Sequence, residues 1–258
     1  MVNVMQDRQL VYPWSASQPQ NQLIRYTGSK LFRVLDDAVV EVRGAYVNVE
    51  AVVCDAVSSL LSDAERGRAA RFCFAQHRQS YLVARAGLRL LLGERLGVEP
   101  AAVELVETSY GKPRLGPMHE ATGLEFNLSH SGSLVLYAFT RGGRVGIDCE
   151  EIRDVPDADQ LAARFFSATE AAAIRALPAD RRQLAFLACW TRKEAFVKAL
   201  GQGLSHPLDS FDVSIDPDTP ARITRIGARS EACFSGTITS FRPCPRYIAA
   251  VVRIPLSK

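Results

Sequence analysis

Ser167-Ala168-Thr169-Glu170 repeats the form of Ser62-Asp63-Ala64-Glu65, 105 positions later in the chain, and this echo decides the fold. Both tetrapeptides read S-x-x-E. That is the capping box, in which a serine hydroxyl and a glutamate carboxylate satisfy the unpaired amides of a helix's first turn. A short helix is expected after each box. A longer one is expected next, over 77–96 and 180–200, with Gly97 and Gly201 placed to end them. Alternating apolar segments follow: 103–107, 124–128 and 134–140 after the first pair, and 211–215, 233–241 and 247–252 after the second. The pattern predicts an α+β fold, a pseudo-twofold duplication of two similar halves, each with helices packed on a small antiparallel sheet. Residues 1–38, with Pro, Gln and Ser clustered between Pro13 and Asn21, are expected to be a loosely packed N-terminal extension. The N-terminal half is expected over 39–141, opening with a strand near Val40–Ala51, and the C-terminal half over 142–258. The turn Arg141-Gly142-Gly143-Arg144 would be the hinge between them, and a cleft between two halves is a common place for a ligand.

Composition narrows the class. The 258 residues are 47% apolar and 23% charged, ordinary values for a soluble globular chain. No run reaches the roughly 18–20 apolar residues of a membrane span. The first twenty residues lack the basic-then-apolar order of a secretory leader, so the expected location is cytoplasmic. Six cysteines (Cys54, Cys73, Cys149, Cys189, Cys233, Cys244) are scattered without a C-x-x-C pair, which fits reduced thiols rather than zinc or a disulfide framework. A net charge of +3 is too small to argue for nucleic acid and is compatible with an anionic ligand or an acidic partner. Neither G-x-x-x-x-G-K-[ST] nor G-x-G-x-x-G occurs, which weighs against the familiar nucleotide-binding loops.

Two constellations carry chemistry. Val145-Gly146-Ile147-Asp148-Cys149-Glu150 reads as a strand whose faces alternate. Val145, Ile147 and Cys149 point toward a core, while Gly146, Asp148 and Glu150 share the other face, where the glycine would leave room for a bulky ligand. Adjacent carboxylates repel unless solvated, separated or bridged by a cation. A solvated sheet face would explain the hexapeptide alone. The helix around Trp190 adds weight to a cation, because Leu187, Trp190, Glu194 and Lys198 fall in one sector of its surface. A carboxylate and an ammonium on a largely apolar face need partners. Glu194 would be a third oxygen ligand beside Asp148 and Glu150 for Mg²⁺, and Lys198 would neutralise a phosphate beside it. An ordinary i,i+4 Glu–Lys pair is the plainer alternative. The first half has Leu90 and Glu94 at the corresponding places, which confines the chemistry to one copy.

The second constellation is basic and hydroxylic. Tyr110-Gly111-Lys112-Pro113-Arg114 reads as a rigid turn presenting two cations, and Phe126-Asn127-Leu128-Ser129-His130-Ser131 as a hairpin bend with Ser129 and His130 at its tip. A serine hydrolase is disfavoured, because neighbouring residues rarely hold nucleophile–base geometry and no G-x-S-x-G elbow is present. Phosphate binding suits these donors better.

In their order along the chain these motifs resemble the 4′-phosphopantetheinyl transferase superfamily, in its longer, monomeric, surfactin-synthetase-activating class. The pieces are Tyr110-Gly111-Lys112-Pro113, Phe126 to Ser131, Val145 to Glu150, Arg164-Phe165-Phe166-Ser167-Ala168-Thr169-Glu170, and Trp190-Thr191-Arg192-Lys193-Glu194-Ala195-Phe196-Val197-Lys198 running on through Gly201 to Leu204, then Pro207 to Phe211. The resemblance covers 40–252. It implies an enzyme that moves the 4′-phosphopantetheine of coenzyme A onto a serine of an apo acyl or peptidyl carrier protein, releasing adenosine 3′,5′-bisphosphate. It implies Mg²⁺ on Asp148, Glu150 and Glu194 with the coenzyme A pyrophosphate, and phosphate contacts from Lys198, Lys112, Ser129 and His130. Arg68 sits where the family often has a cation near the adenylate, with Arg78 and Arg85 as further candidates. Glu194 or a metal-bound water would take the serine proton, with Lys198 offsetting charge. The implied partners are coenzyme A and an acidic carrier protein of polyketide or nonribosomal peptide biosynthesis, touching residues near Phe165–Phe166; no nucleic acid or membrane is implied, and the state is a monomer. Glu65 departs from members that have lysine there. A non-enzymatic coenzyme A or carrier-binding module would show loss of an acid or of Lys198, and all four are present. A nucleoside-triphosphate-dependent phosphotransferase is weakened by the missing phosphate loop.

Overall fold

The computed structural model describes residues 31–36, 39–47, 57–201, 206–227, 229–230 and 234–256. Both capping boxes form. Ser62 and Glu65 open helix α1 (Asp63–Ala70), and Ser167 and Glu170 open α4 (Ala168–Ala176), each with the reciprocal pair of hydrogen bonds. The long helices are α2 (Ala75–Leu96) and α5 (Ala179–Leu200), each of 22 residues. Gly97 (φ 69°) and Gly201 (φ 73°) end them in the left-handed region, where a side chain would be strained. A further helix that the sequence reading did not predict, α3 (Ala158–Phe165), precedes the second capping box.

The strands are β1 (Leu31–Asp36), β2 (Val40–Tyr46), β3 (Leu105–Glu107), β4 (Pro113–Leu115), β5 (Leu124–Ser131), β6 (Leu134–Arg141), β7 (Gly143–Glu151), β8 (Phe211–Val213), β9 (Ile223–Ile226), β10 (Arg229–Ser230), β11 (Thr237–Phe241) and β12 (Tyr247–Pro255). The first half carries an antiparallel sheet in the order β1-β2-β6-β5, and the second one in the order β11-β12-β7; β10-β9-β8 and β3-β4 are smaller antiparallel sheets. Alternation along β6 and β12 explains the layering. Val135, Tyr137 and Phe139 of β6 pack under α1 and α2, whereas Leu134, Leu136 and Ala138 face the other sheet. On β12, Tyr247, Ala249 and Val251 meet that same central layer, and Ile248, Ala250 and Val252 pack under α5. The order is therefore helix, sheet, sheet, helix, as expected for two halves each with helices on a small antiparallel sheet.

Two expectations change, at the N-terminal extension and at Ser129–His130. Leu31–Asp36 is a strand paired with β2 (Leu31 opposite Ala45), so the last part of the 1–38 extension belongs to the sheet. Of the expected strand 40–51, Val40–Tyr46 is strand, and 48–51 lie outside the described residues, as does Pro13–Asn21. The bend expected at Ser129 and His130 is instead continuous strand, because the reversal occurs beyond it, at Gly132 (φ 52°). Cys73, Cys149, Cys189 and Cys244 are free thiols, and Cys54 and Cys233 lie outside the described residues.

Candidate active site

Strand β7 alternates as its sequence predicts. Val145, Ile147 and Cys149 are buried in the central layer, and Gly146, Asp148 and Glu150 face α5. The reason for Gly146 differs from the expected one. A Cβ there would overlap Ala195 O and Ala199 N, so the space belongs to the backbone of α5 rather than to a ligand. This approach brings the Glu194–Lys198 turn of α5 over the acidic face of β7.

Lys198 Nζ lies 2.6 Å from Asp148 Oδ1. Asp148 and Glu194 are buried, 5% and 7% exposed, and Glu150 is half-buried. Burial would depress the Lys198 ammonium, yet the Asp148 carboxylate, with help from Glu194, holds it above its ordinary value. Burial raises the Glu194 carboxyl; Lys198 opposes the shift, and the charges of Asp148 and Glu150 add to it. Burial likewise raises Glu150, against a hydrogen bond from Ser131, with Asp148 adding to the rise. The three acids therefore sense one another around a single ammonium. Among the described residues, no three His, Cys, Asp or Glu side chains are arranged to close around a metal ion as they stand. The donor set nevertheless fits one. Asp148 Oδ2 and Glu194 Oε1 are buried oxygens with no hydrogen-bond partner, a state that costs free energy until a cation meets it.

The other expected residues divide. Ser129 is buried, not at a tip. Its hydroxyl donates to Asp148 Oδ1 at 2.8 Å and accepts from Lys198 Nζ at 3.3 Å, so it joins the acidic centre directly. His130, next along the strand, is exposed at the rim. Partial desolvation of its ring, though the residue is open to solvent, lowers its pKa first; the Lys198 charge adds to this, Asp148 opposes it, and His77 of α2 adds to the lowering. Lys112 donates to Val145 O at 3.1 Å and Lys198 O at 2.7 Å. Two of its three N–H groups thus tie the first half to β7 and to the negative end of α5's dipole. Burial drives this ammonium down to about 8. Arg68 pairs with Glu107 at 2.9 Å and lies over the Tyr81 ring; Arg85 meets that same glutamate and ring, and also Glu65. Phe166 is buried and Phe165 half-buried, both packed on Trp190, so the expected apolar contact surface there is largely core.

Two side-chain groups escaped the sequence reading. Ser131 donates to Glu150 Oε2, and its signal was the alternation of Asn127, Ser129 and Ser131 as polar residues along one strand face. Lys193, fully buried, pairs with Glu170 at 2.8 Å and donates to Leu208 O and Phe211 O. Glu170 thus does more than cap its helix.

Known proteins fall in line with this geometry. The 4′-phosphopantetheinyl transferase superfamily matches residues 144–252, and the N-terminal region of 4′-phosphopantetheinyl transferases matches 51–141, meeting at the Arg141–Arg144 turn. The 4′-phosphopantetheinyl transferase HetI of Nostoc sp. is 41% identical over 174 residues, 67% of this chain and 73% of that protein. The chain belongs to the 4′-phosphopantetheinyl transferase superfamily. Similarity to the transferase Sfp of Bacillus subtilis, 31% over 193 residues (75% and 82% of the two chains), assigns the Sfp-like type. A mouse L-aminoadipate-semialdehyde dehydrogenase-phosphopantetheinyl transferase is 29% identical over 161 residues, 59% of this chain and 52% of that one. The protein is thus a phosphopantetheinyl transferase, and the Asp148–Lys198 centre lies inside the segment that matches the superfamily.

Proposed function

We propose that the transferase moves 4′-phosphopantetheine from coenzyme A to a serine of an apo acyl or peptidyl carrier protein, with Mg²⁺ as cofactor and adenosine 3′,5′-bisphosphate as product. The observation that carries this reading is the pair of buried, partnerless oxygens, Asp148 Oδ2 and Glu194 Oε1, beside the Lys198 ammonium. Asp148, Glu150 and Glu194 would hold the ion, which when bound offsets diphosphate charge and polarises the phosphorus for attack. The rest falls to the chain's own residues.

The serine Oγ forms a bond to the phosphorus bearing pantetheine. The bond from that phosphorus to the bridging oxygen breaks, and the oxygen leaves on adenosine 3′,5′-bisphosphate. Lys198 moves its ammonium from Asp148 toward the phosphate oxygens and offsets the charge that grows there. Glu194 takes the serine proton on its other carboxylate oxygen, Oε2, which leaves Oε1 to the ion. Ser129 orients Asp148 and faces the phosphates beside it. His130 at the rim and the third N–H of Lys112 supply further phosphate donors, and Arg68 serves the adenylate end. The carrier partner is acidic, and the enzyme works as a cytoplasmic monomer. Among the described residues, no helix is long and apolar enough to cross a membrane.

Intact-mass spectrometry of an apo carrier protein tests this. With coenzyme A and Mg²⁺ the carrier should gain one phosphopantetheine while adenosine 3′,5′-bisphosphate appears in equal amount, and chelation should stop both. A carrier modified from ATP in place of coenzyme A, or equally fast with chelator, would refute the reading.

A further inference from the structure

Strands β5 and β7 lie on the edges of different sheets, yet three alternate side chains of β5, Asn127, Ser129 and Ser131, cross between them. Asn127 Oδ1 accepts from Ile147 N at 2.8 Å, Ser129 Oγ from Cys149 N at 3.3 Å, and Ser131 Oγ from Glu151 N at 3.0 Å. The partners keep one constant offset of 20 residues, so side chains take the place of a missing ladder strand. Without them the edge of β7 would bury its amides unpaired.

The two hydroxyls each have a proton left to give. Ser129 gives it to Asp148 Oδ1 and Ser131 gives it to Glu150 Oε2 at 2.9 Å. A hydroxyl that accepts from a fixed backbone amide has little freedom in where its proton points. Each serine therefore reads the β7 backbone at one residue and aims the carboxylate of the residue before it. At Asn127 the corresponding residue is Gly146, which has no side chain to aim, and Asn127 correspondingly offers an amide oxygen only to the backbone. The end of β5 is itself pinned, since Tyr247 Oη accepts from Ser133 N at 3.2 Å, one residue beyond the turn glycine.

We infer that Ser131 is a positioning residue for Glu150, working as Ser129 does for Asp148. The first half, which contributes none of the three acids, thereby sets the side-chain directions of two of them. The inference rests on the metal-site reading above and deepens it. Outer hydrogen-bond partners of this kind are typically worth about 10–100-fold in metal affinity.

The test uses the full chain as wild type, Ser131→Ala, Ser131→Thr and Asp148→Ala. Amide exchange is followed residue by residue by NMR without metal, and Mn²⁺ binding in the presence of coenzyme A is followed by the electron paramagnetic resonance of the free ion. Ser131→Ala should speed exchange at Glu151 about tenfold or more while Ile147 and Cys149 stay slow, and should weaken Mn²⁺ binding about tenfold. Ser131→Thr, which keeps the hydroxyl, should restore both. Asp148→Ala should abolish Mn²⁺ binding. Unchanged Mn²⁺ affinity in Ser131→Ala, with binding lost in Asp148→Ala, overturns the positioning role alone. Undiminished binding in Asp148→Ala overturns the metal reading, and the inference with it.

Discussion

The two halves share a scaffold down to its buried ion pairs and differ by one turn of helix. In the first half, the capping glutamate Glu65 meets Arg89 of α2 at 2.7 Å, and Arg89 donates on to Pro100 O and Val103 O. In the second half, Glu170 meets Lys193 of α5 at 2.8 Å, and Lys193 donates to Leu208 O and Phe211 O. Each cation sits 104 positions from its counterpart and fastens a long helix to the chain that follows it. The next helical positions part company: Leu90 is buried in an apolar core, whereas Glu194 is buried beside Lys198 and Asp148. The packing differs as well. Tyr137 of β6 stands between its sheet and α2, its hydroxyl donating to Ala84 O at 3.1 Å. On the other side α5 lies directly against the backbone of β7 at Gly146. Close approach of helix to strand backbone at Gly146 is what brings the Glu194–Lys198 turn onto the carboxylate of Asp148.

Breaking that approach should have the largest effect. Gly146→Val drives a side chain into backbone that cannot swing aside, so we expect a loss above about 4 kcal/mol, seen as insoluble or unfolded protein in thermal melts. Gly87→Ala on the first side meets the Tyr137 hydroxyl and ring rather than backbone, and should cost less than Gly146→Val. Next come the shared ion pairs. Lys193→Met and Arg89→Met each strand a buried glutamate and should cost about 3–5 kcal/mol in denaturant unfolding, and similar values would sharpen the equivalence of the halves.

The mirror pair Leu90→Glu and Glu194→Leu probes the turn that differs. Leu90→Glu buries a carboxylate in an apolar core, should destabilise, and should give no new activity. Glu194→Leu should lower transfer by about a hundredfold or more and raise the stability of the metal-free protein by about 1 kcal/mol. The sign follows from burial raising this carboxyl. The folded chain holds the proton more tightly than the unfolded chain, so its favourable contribution exists at acid pH and is lost as pH rises through the folded pKa. The stabilisation by Glu194→Leu should therefore grow from acid toward neutral pH. The smallest effect concerns the tie between halves. Lys112 titrates near 8 when folded and near 10.5 when free, so the unfolded chain keeps this proton to higher pH, and the group's contribution to stability rises across that window. The stability difference between wild type and Lys112→Met should rise between pH 8 and 10 in paired denaturant curves.

What the sequence revealed was local. Capping boxes, glycine stops and the in–out alternation of β6, β7 and β12 each follow from neighbours in the chain, and they fixed both long helices to within two residues at their starts. Helical and strand periodicities also put Glu194 with Lys198 on one helix face and Asp148 with Glu150 on one strand face, while the meeting of the two faces is implied by the family resemblance. What it concealed depends on contacts between distant segments. Gly146 looks like space for a ligand until α5 is laid on it. Lys112 looks like a phosphate donor and nothing else until two carbonyls from the other half take two of its three N–H groups. The capping box accounts for Glu170 at its own helix, but nothing local announces its pair with Lys193. Leu31–Asp36 was hidden for a different reason, since a short edge strand beyond a Pro- and Gln-rich stretch has too few residues for its alternation to stand out.

The central claim is that a divalent ion binds between strand and helix in the second copy only. Anomalous scattering from crystals grown with Mn²⁺ and coenzyme A would locate the ion directly. A single peak at about 2.1–2.2 Å from carboxylate oxygens of Asp148, Glu150 and Glu194, with Lys198 turned from Asp148 to a phosphate, is the predicted result. An ion held elsewhere, or a diphosphate bound with Glu194 taking no part, would contradict it.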